Sequence, residues 1–336
     1  MTMLNLVRDF LSDIVCPRCL EPLKNWKNAP QPFHCQNCRC IIPLSYLREV
    51  KKTPPIFVQL FGLTGVGKTM FLDMLRLQLY DMANLWSRAF ASPITQLDMD
   101  HREILLTERR HGTLASSTAS RSRDQNEVYI MQLKNMDRWN SHFLVLMDFS
   151  GEQFNTLEIA AEDIPFLCRI PVTIMLLSMP DMNRQDKTVE SLMDSYITTL
   201  KNNGVNFSRT QRHLIIVFNK ADLIRNLPPE INDYLQRDQI YTLLKKNKPV
   251  DMSGEHLSAY LAEMAYISDK LANWVWNSVP GGRGMLHRLQ ENNISARFTI
   301  MSATGHELTN NGTGFEPVPR RVLDPFFWLM EAHVRQ

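Results

Sequence analysis

Five short apolar runs punctuate the chain: Ile56–Phe61, Val128–Leu133, Phe143–Met147, His213–Phe218 and Ala296–Met301. Each is too short for a helix and is bounded by polar or glycine residues, which reads as a buried strand. Between them, apolar residues recur at spacings of three and four. That period predicts helices over Met70 to about Trp86, Glu230–Lys246, Glu255–Val279 and Val322–Val334. In the third, Leu257, Leu261, Met264, Ile267, Leu271, Trp274 and Val275 share one face. Burial against a sheet is the favoured reading of that face; an effector or dimer surface is the alternative. In the closing helix, Phe326, Phe327, Leu329 and Met330 are expected to pack inward. Pro280-Gly281-Gly282-Arg283-Gly284 reads as a flexible loop. Strands alternating with helices predict an α/β fold with a doubly wound sheet and helices on both faces.

The first stretch has a different pattern. Cys16-Pro-Arg-Cys19 and Cys35-Gln-Asn-Cys38 are two CxxC pairs at zinc-ribbon spacing. Each turn aims two thiolates at one cation, and two turns complete a tetrahedral Zn²⁺ shell. Cys40 and His34 are alternative fourth ligands, with CxxC geometry favouring Cys38. Four thiolates leave no place for water, so the metal is expected to be structural and to supply folding energy to a small module. That module is read as residues 1–53, with Lys51-Lys52-Thr53-Pro54-Pro55 as linker. Its excess of basic residues is modest, which favours protein docking over nucleic-acid binding.

The run Ile56–Phe61 leads into Gly62-Leu63-Thr64-Gly65-Val66-Gly67-Lys68-Thr69 and then a helix. A strand, GxxxxGKT and a helix in that order form a P-loop. Gly62, Gly65 and Gly67 let the backbone wrap phosphates, and the N–H groups around Val66 and the helix N-terminus face the anions. Lys68 would reach the β- and γ-phosphates and Thr69 would ligate Mg²⁺. Phe143–Met147 ends in Asp148-Phe149-Ser150-Gly151, an acid for the Mg²⁺ shell and a glycine whose N–H can approach the γ-phosphate. His213–Phe218 ends in Asn219-Lys220-Ala221-Asp222. A carboxylate there accepts two hydrogen bonds from guanine N1–H and the exocyclic amine, a donor pair adenine lacks. Asn219 and the stem of Lys220 would support the base. Ser302 and Ala303, after the last strand, offer backbone to the guanine carbonyl.

Taken in this order, the motifs resemble those of TRAFAC-class P-loop GTPases, Ras-like and translation-factor-like, over roughly 56–335. The resemblance implies a six-stranded doubly wound sheet, GTP or GDP at the strand carboxyl ends, and Mg²⁺-dependent hydrolysis to GDP and phosphate. With a ribbon ahead of it, the chain is also similar to bacterial double-GTPase families. That implies a molecular switch signalling to a protein effector or regulator in conflict or defence. Residues 54–336 are then the GTPase domain, with a helical insert at about 223–290.

The resemblance further requires a threonine that closes over Mg²⁺ and the γ-phosphate. The polar run 111–123 offers Thr113 and Thr118, and position favours Thr118. Arg102, Arg109, Arg110, Arg121 and Arg123 crowd this region. One acting in cis is an alternative to solvated or partner-facing arginines. Glu152 stands where many relatives carry a water-orienting Gln. Lys68, Thr118 and Glu152 are therefore the catalytic candidates, and hydrolysis is expected to be slow without a partner. A scaffold that stays loaded with GTP is the alternative function, and an RNA- or ribosome-associated GTPase is a third.

Composition narrows the setting. Across 336 residues, 44% are hydrophobic and 21% charged, ordinary for a globular chain. A net charge of +2 is too small for bulk attraction to nucleic acid. No apolar run approaches the about 20 residues of a membrane span. Met1–Val15 carries Arg8, Asp9 and Asp13, unlike a signal peptide, so a soluble, cytoplasmic protein is expected. In a reducing compartment the clustered cysteines favour metal over disulfides.

Overall fold

Two strands of two residues each, β1 (Phe33–His34) and β2 (Ile41–Ile42), pair antiparallel in the N-terminal module, and α1 (Leu44–Glu49) follows. This computed structural model describes residues 13–63, 65–110, 128–150, 163–183, 188–246, 252–305 and 317–334. So small a module has little core of its own, and it rests on its neighbour. The Tyr46 ring lies 5.2 Å from that of Phe143, and the Tyr46 hydroxyl donates to the Val15 carbonyl at 3.1 Å. Glu49 accepts hydrogen bonds from Gln132 at 2.7 Å and Lys134 at 2.9 Å.

The remaining chain alternates strands and helices: β3 (Pro55–Gly62), α2 (Lys68–Tyr80), β4 (Phe90–Pro93), α3 (Gln96–Arg110), β5 (Val128–Met136), β6 (Asn140–Ser150), α4 (Ile164–Arg169) and β7 (Val172–Ser178). Then come α5 (Val189–Asn202), β8 (Arg212–Asn219), α6 (Pro229–Gln236), α7 (Gln239–Lys245), α8 (Gly254–Ser278), α9 (Gly282–Glu291), β9 (Ile294–Ile300) and α10 (Asp324–Val334). Seven strands form one helix-flanked sheet in the order β4-β5-β6-β3-β7-β8-β9. The β6-β3-β7-β8-β9 portion is parallel, and β4 and β5 extend it antiparallel. The expected sheet of six gains an edge strand, β4, whose four residues are too few to show a period. β7 was also not singled out, although all seven of its residues are buried. Its Val172–Leu177 run is of the same apolar kind as the five that were read as buried strands.

Parallel pairing sends the carboxyl ends of β3, β6, β7, β8 and β9 to one edge, where the motifs lie. Below it, buried polar side chains tie off loose backbone. Gln59 donates to the carbonyls of Phe166, Leu167 and Ile170 at 3.1, 2.8 and 2.9 Å. Arg212 is fully buried and donates to the carbonyls of Leu167 and Ile170 at 3.0 and 2.8 Å. Leu167 supplies one of the carbonyls that a short helix leaves over at its end, and Ile170 is the residue that follows it.

The long amphipathic helix α8 buries Leu257, Leu261, Met264, Ile267, Leu271 and Val275. Ser268 accepts from Phe298 N at 2.9 Å and Trp274 packs edge-on to Phe218 at 5.8 Å, so that face covers the sheet. The 230–246 stretch divides into α6 and α7. The helix expected to reach Trp86 ends at Tyr80. Pro280–Gly284 is no loose loop: Gly281, at φ +73, turns the chain directly into α9. A Cβ on the buried Gly282 would come within 2.1 Å of the Val275 carbonyl oxygen, so the turn is close-packed. Phe326, Phe327, Leu329 and Met330 of α10 are buried as expected. Among the described residues, no helix is long and apolar enough to cross a membrane.

Candidate functional site

The phosphate-loop residues Gly62, Gly65, Val66, Gly67, Lys68 and Thr69 join β3 to α2. The loop is held open by positive φ at Gly65 (+83) and Gly67 (+91), conformations that side-chain-bearing residues resist. A Cβ at Gly67 would also lie 2.7 Å from Asn219 Nδ2. Lys68, the first residue of α2, donates from Nζ to the Gly62 carbonyl at 2.5 Å. Thr69 stands beside it in the first turn. The N–H groups of that turn have no earlier carbonyls to bind, which makes the helix start an anion-binding position.

The strands on either side bring the other candidates to the loop. Asp148 sits on β6 in register with Leu60 of β3. At the end of β8, the buried Asn219 donates from Nδ2 to the Val66 carbonyl at 2.8 Å and accepts from Lys220 N at 2.8 Å. Lys220 takes a left-handed conformation at φ +59, and its Nζ donates to the Gly65 carbonyl at 2.7 Å. The same two residues expected to support a base therefore also fasten the phosphate loop. Ser302, buried after β9, donates its hydroxyl to Asp222, and Gly305 N donates to Ser302 Oγ at 2.8 Å. Ala303 is buried next to it. The sequence reading missed Gly305 and the loop-fastening role of Lys220. A glycine three residues past Ser302 was its only trace. Thr64, Thr113, Thr118, Arg121, Arg123, Gly151 and Glu152 lie outside the described residues, as do the side chains of Arg109 and Arg110. Arg102 lies over the Tyr80 ring at 5.0 Å.

A second site occupies the ribbon. The sulfurs of Cys16, Cys19, Cys35 and Cys38 all lie within 4.8 Å of one another. The Cys16–Cys38 and Cys19–Cys35 separations are both 3.6 Å. A tetrahedron with Zn–S bonds of about 2.3 Å has sulfur–sulfur edges of about 3.8 Å, so these four thiols fit such an ion. His34 is exposed and is not among them. The two turns repeat one geometry. Leu20 N donates to Cys16 O and Arg39 N to Cys35 O, both at 3.0 Å, with Leu20 and Arg39 at φ +61 and +58. Hydrogen bonds within the cluster, first with Cys16, pull Cys38 far below the ordinary thiol range. Those with Cys19 first push Cys16 far above it. Cys168, in contrast, is raised by burial, as an inert packed thiol would be.

A family model described as Double-GTPase 2 matches residues 56–259, more than half of the chain. No curated protein matches. Among solved structures, the signal recognition particle receptor SRb-GTP/SRX complex from Chaetomium thermophilum is 12% identical at TM-score 0.35, over 83% of this chain and 99% of that one. The mammalian SRP receptor is 14% identical at TM-score 0.32, over 74% and 91%. The Saccharomyces cerevisiae Ski7 GTPase-like domain, bound to GDP and inorganic phosphate, is 16% identical at TM-score 0.33, over 87% and 53%.

Proposed function

The chain belongs to the Double-GTPase 2 family, and from that premise we propose that it is a guanine-nucleotide switch that hydrolyses GTP to GDP and phosphate. One observation carries the reading: hydrogen bonds from Asn219 and Lys220 fasten the base-reading motif to the carbonyls of Val66 and Gly65. Base and phosphates would then be gripped by one connected frame. Asp222, oriented by Ser302, would read the guanine edge. The amides of residues 65–69 and Lys68 would hold the phosphates. Thr69 and Asp148 are oxygen donors suited to Mg²⁺, with Thr118 the third in this assignment. The ion, when bound, would offset charge on the β- and γ-phosphates. Glu152 would orient the attacking water. Gly151 N–H would approach the γ-phosphate, and its release on hydrolysis would free the flanking segments.

In this reading the ribbon carries a structural Zn²⁺, and the switch signals to a protein partner, with bacterial conflict systems as the setting. Calorimetry with the full chain tests the nucleotide assignment. GTP should bind and ATP should not; equal affinities would overturn it. Phosphate release should fall in Lys68→Ala and Glu152→Ala, and equal rates in all three proteins would remove the catalytic roles.

A further inference from the structure

The two CxxC turns share one backbone hydrogen-bond pattern but close on different side chains. Cys16 N donates to Glu21 O at 2.8 Å, and Cys35 N donates to Cys40 O at 2.9 Å. Glu21 and Cys40 thus hold equivalent places, but only the second brings a sulfur. Cys40 Sγ lies 3.4 Å from Cys16 Sγ and 3.3 Å from Cys38 Sγ. It is not one of the four sulfurs that gather mutually within 4.8 Å. A fifth thiol therefore rests against two corners of the metal site without being a corner itself. Cys40 is half-buried, whereas Cys16 is fully enclosed.

We propose that Cys40 is a peroxide-responsive modification site whose disulfide with Cys16 dismantles the ribbon's metal site. Hydrogen peroxide is the oxidant. The Cys40 sulfur takes one peroxide oxygen, the O–O bond breaks, and water leaves, giving the sulfenic acid. The Cys16 sulfur then attacks the Cys40 sulfur, the S–O bond breaks, and the second oxygen departs as water. Two thiols and one peroxide become one disulfide and two waters; the sulfurs are oxidised and the peroxide oxygens are reduced. Cys38 is a poorer partner. It is separated from Cys40 by Arg39 alone, and a bond across that left-handed residue would disrupt the turn closed by Cys35 N and Cys40 O. Cys16 belongs to the opposite turn, and its bond to Cys40 spans neither turn. With Cys16 consumed, three thiolates remain, and a closed tetrahedral shell cannot form.

The inference rests on the reading that the cluster holds zinc, which the untreated protein checks by its metal content. Zinc-loaded full-length chain is exposed to hydrogen peroxide, with metal release followed by a chromophoric chelator. Intact mass and a peptide map are taken after alkylation. Wild type is expected to release zinc, lose two hydrogens in mass and show a Cys16–Cys40 link. Cys40→Ser and Cys40→Ala are expected to carry one zinc and to release it at least roughly tenfold more slowly. Release from both variants at the wild-type rate, or a mapped link without Cys40, overturns the proposal. So does the absence of zinc from both untreated variants, because Cys40 would then be an ordinary ligand. If untreated wild type holds no zinc, the zinc reading fails, while mass and map still decide whether Cys16 and Cys40 join.

Discussion

Arg18 places its Nε 3.5 Å from a carboxylate oxygen of Asp163, a fully buried residue. Arg18 lies inside the first CxxC turn. Asp163 precedes α4 and follows directly on the 151–162 segment that carries Gly151 and Glu152. The ribbon thus touches the chain at the residue that follows the proposed switch segment 151–162.

Removing the arginine should therefore be felt beyond the ribbon. Taking one partner from a buried ion pair leaves a desolvated charge. Because Arg18 keeps 24% of its side chain exposed, the expected loss for Arg18→Met is about 2 kcal/mol, below the range for fully buried pairs. Denaturant melts of Arg18→Met, Asp163→Asn and the double variant should give a coupling of about 1 kcal/mol or more. Additive effects would show that the two residues do not act together.

The fastening of the phosphate loop gives a second expectation. Asn219→Ala removes the donor to the buried Val66 carbonyl and the acceptor for Lys220 N. An unsatisfied buried carbonyl costs about 1–3 kcal/mol. Nucleotide affinity should fall by roughly tenfold or more, since 1.4 kcal/mol is a factor of ten. Asn219→Asp keeps the acceptor for Lys220 but sets an oxygen against the Val66 carbonyl, so it should bind no better than Asn219→Ala. Calorimetry that found wild-type affinity in either variant would separate base support from loop geometry.

How much of this could be read in the sequence depended on how local the signal was. The phosphate loop and the Asn219–Asp222 and Ser302–Ala303 motifs are contiguous strings behind apolar strands, so they stand out in the sequence and their roles can be proposed from it. The hydrogen bond from Lys220 to Gly65 joins residues far apart in the chain, and only the parallel register of β3, β7 and β8 creates it. β4 escaped notice because it is short, whereas β7 carries an apolar run, Val172–Leu177, of the kind read as a buried strand elsewhere. Pro280–Gly284 suggested a loop on composition, but Gly282 is needed for close approach to Val275. The contact of Cys40 with Cys16 depends on how two distant turns face each other, which the CxxC spacing does not encode.

Base discrimination should reside in Asp222. Asp222→Asn replaces one acceptor oxygen with a donor amide, which opposes the exocyclic amine of guanine and suits the carbonyl that xanthine carries in its place. GTP affinity should drop by roughly a hundredfold or more while xanthosine triphosphate gains, because an unpaired buried polar edge is heavily penalised. Ser302→Ala, which removes the hydroxyl that orients the carboxylate, should weaken GTP without favouring xanthosine triphosphate. Competition binding with both nucleotides checks this. Unchanged preference in Asp222→Asn would remove it from the base-reading role.

Acid should loosen the end of the sheet at which α10 packs on β6. The rings of His142 and His333 meet edge to face at 5.2 Å. Burial, and then His142, lowers His333 from 6.5 to about 4; burial likewise lowers His142. Folded His333 thus binds fewer protons than unfolded His333 between pH 6.5 and about 4, and His142 shifts in the same sense. Their contribution is present above pH 6.5 and is lost as pH falls through that window, by about 2 kcal/mol for His333 given its partial exposure. Asp324 acts in the opposite sense. Burial raises it from 3.8 to about 6, so its stabilising effect is present below 3.8 and is lost as pH rises through 6. The two effects partly cancel in wild type, which makes the difference between proteins the useful quantity. His333→Gln should lose less stability than wild type between pH 7 and pH 5 in urea melts. Asp324→Asn should lose more over the same interval. Parallel pH profiles for wild type and His333→Gln would mean that the histidine pair does not govern acid sensitivity.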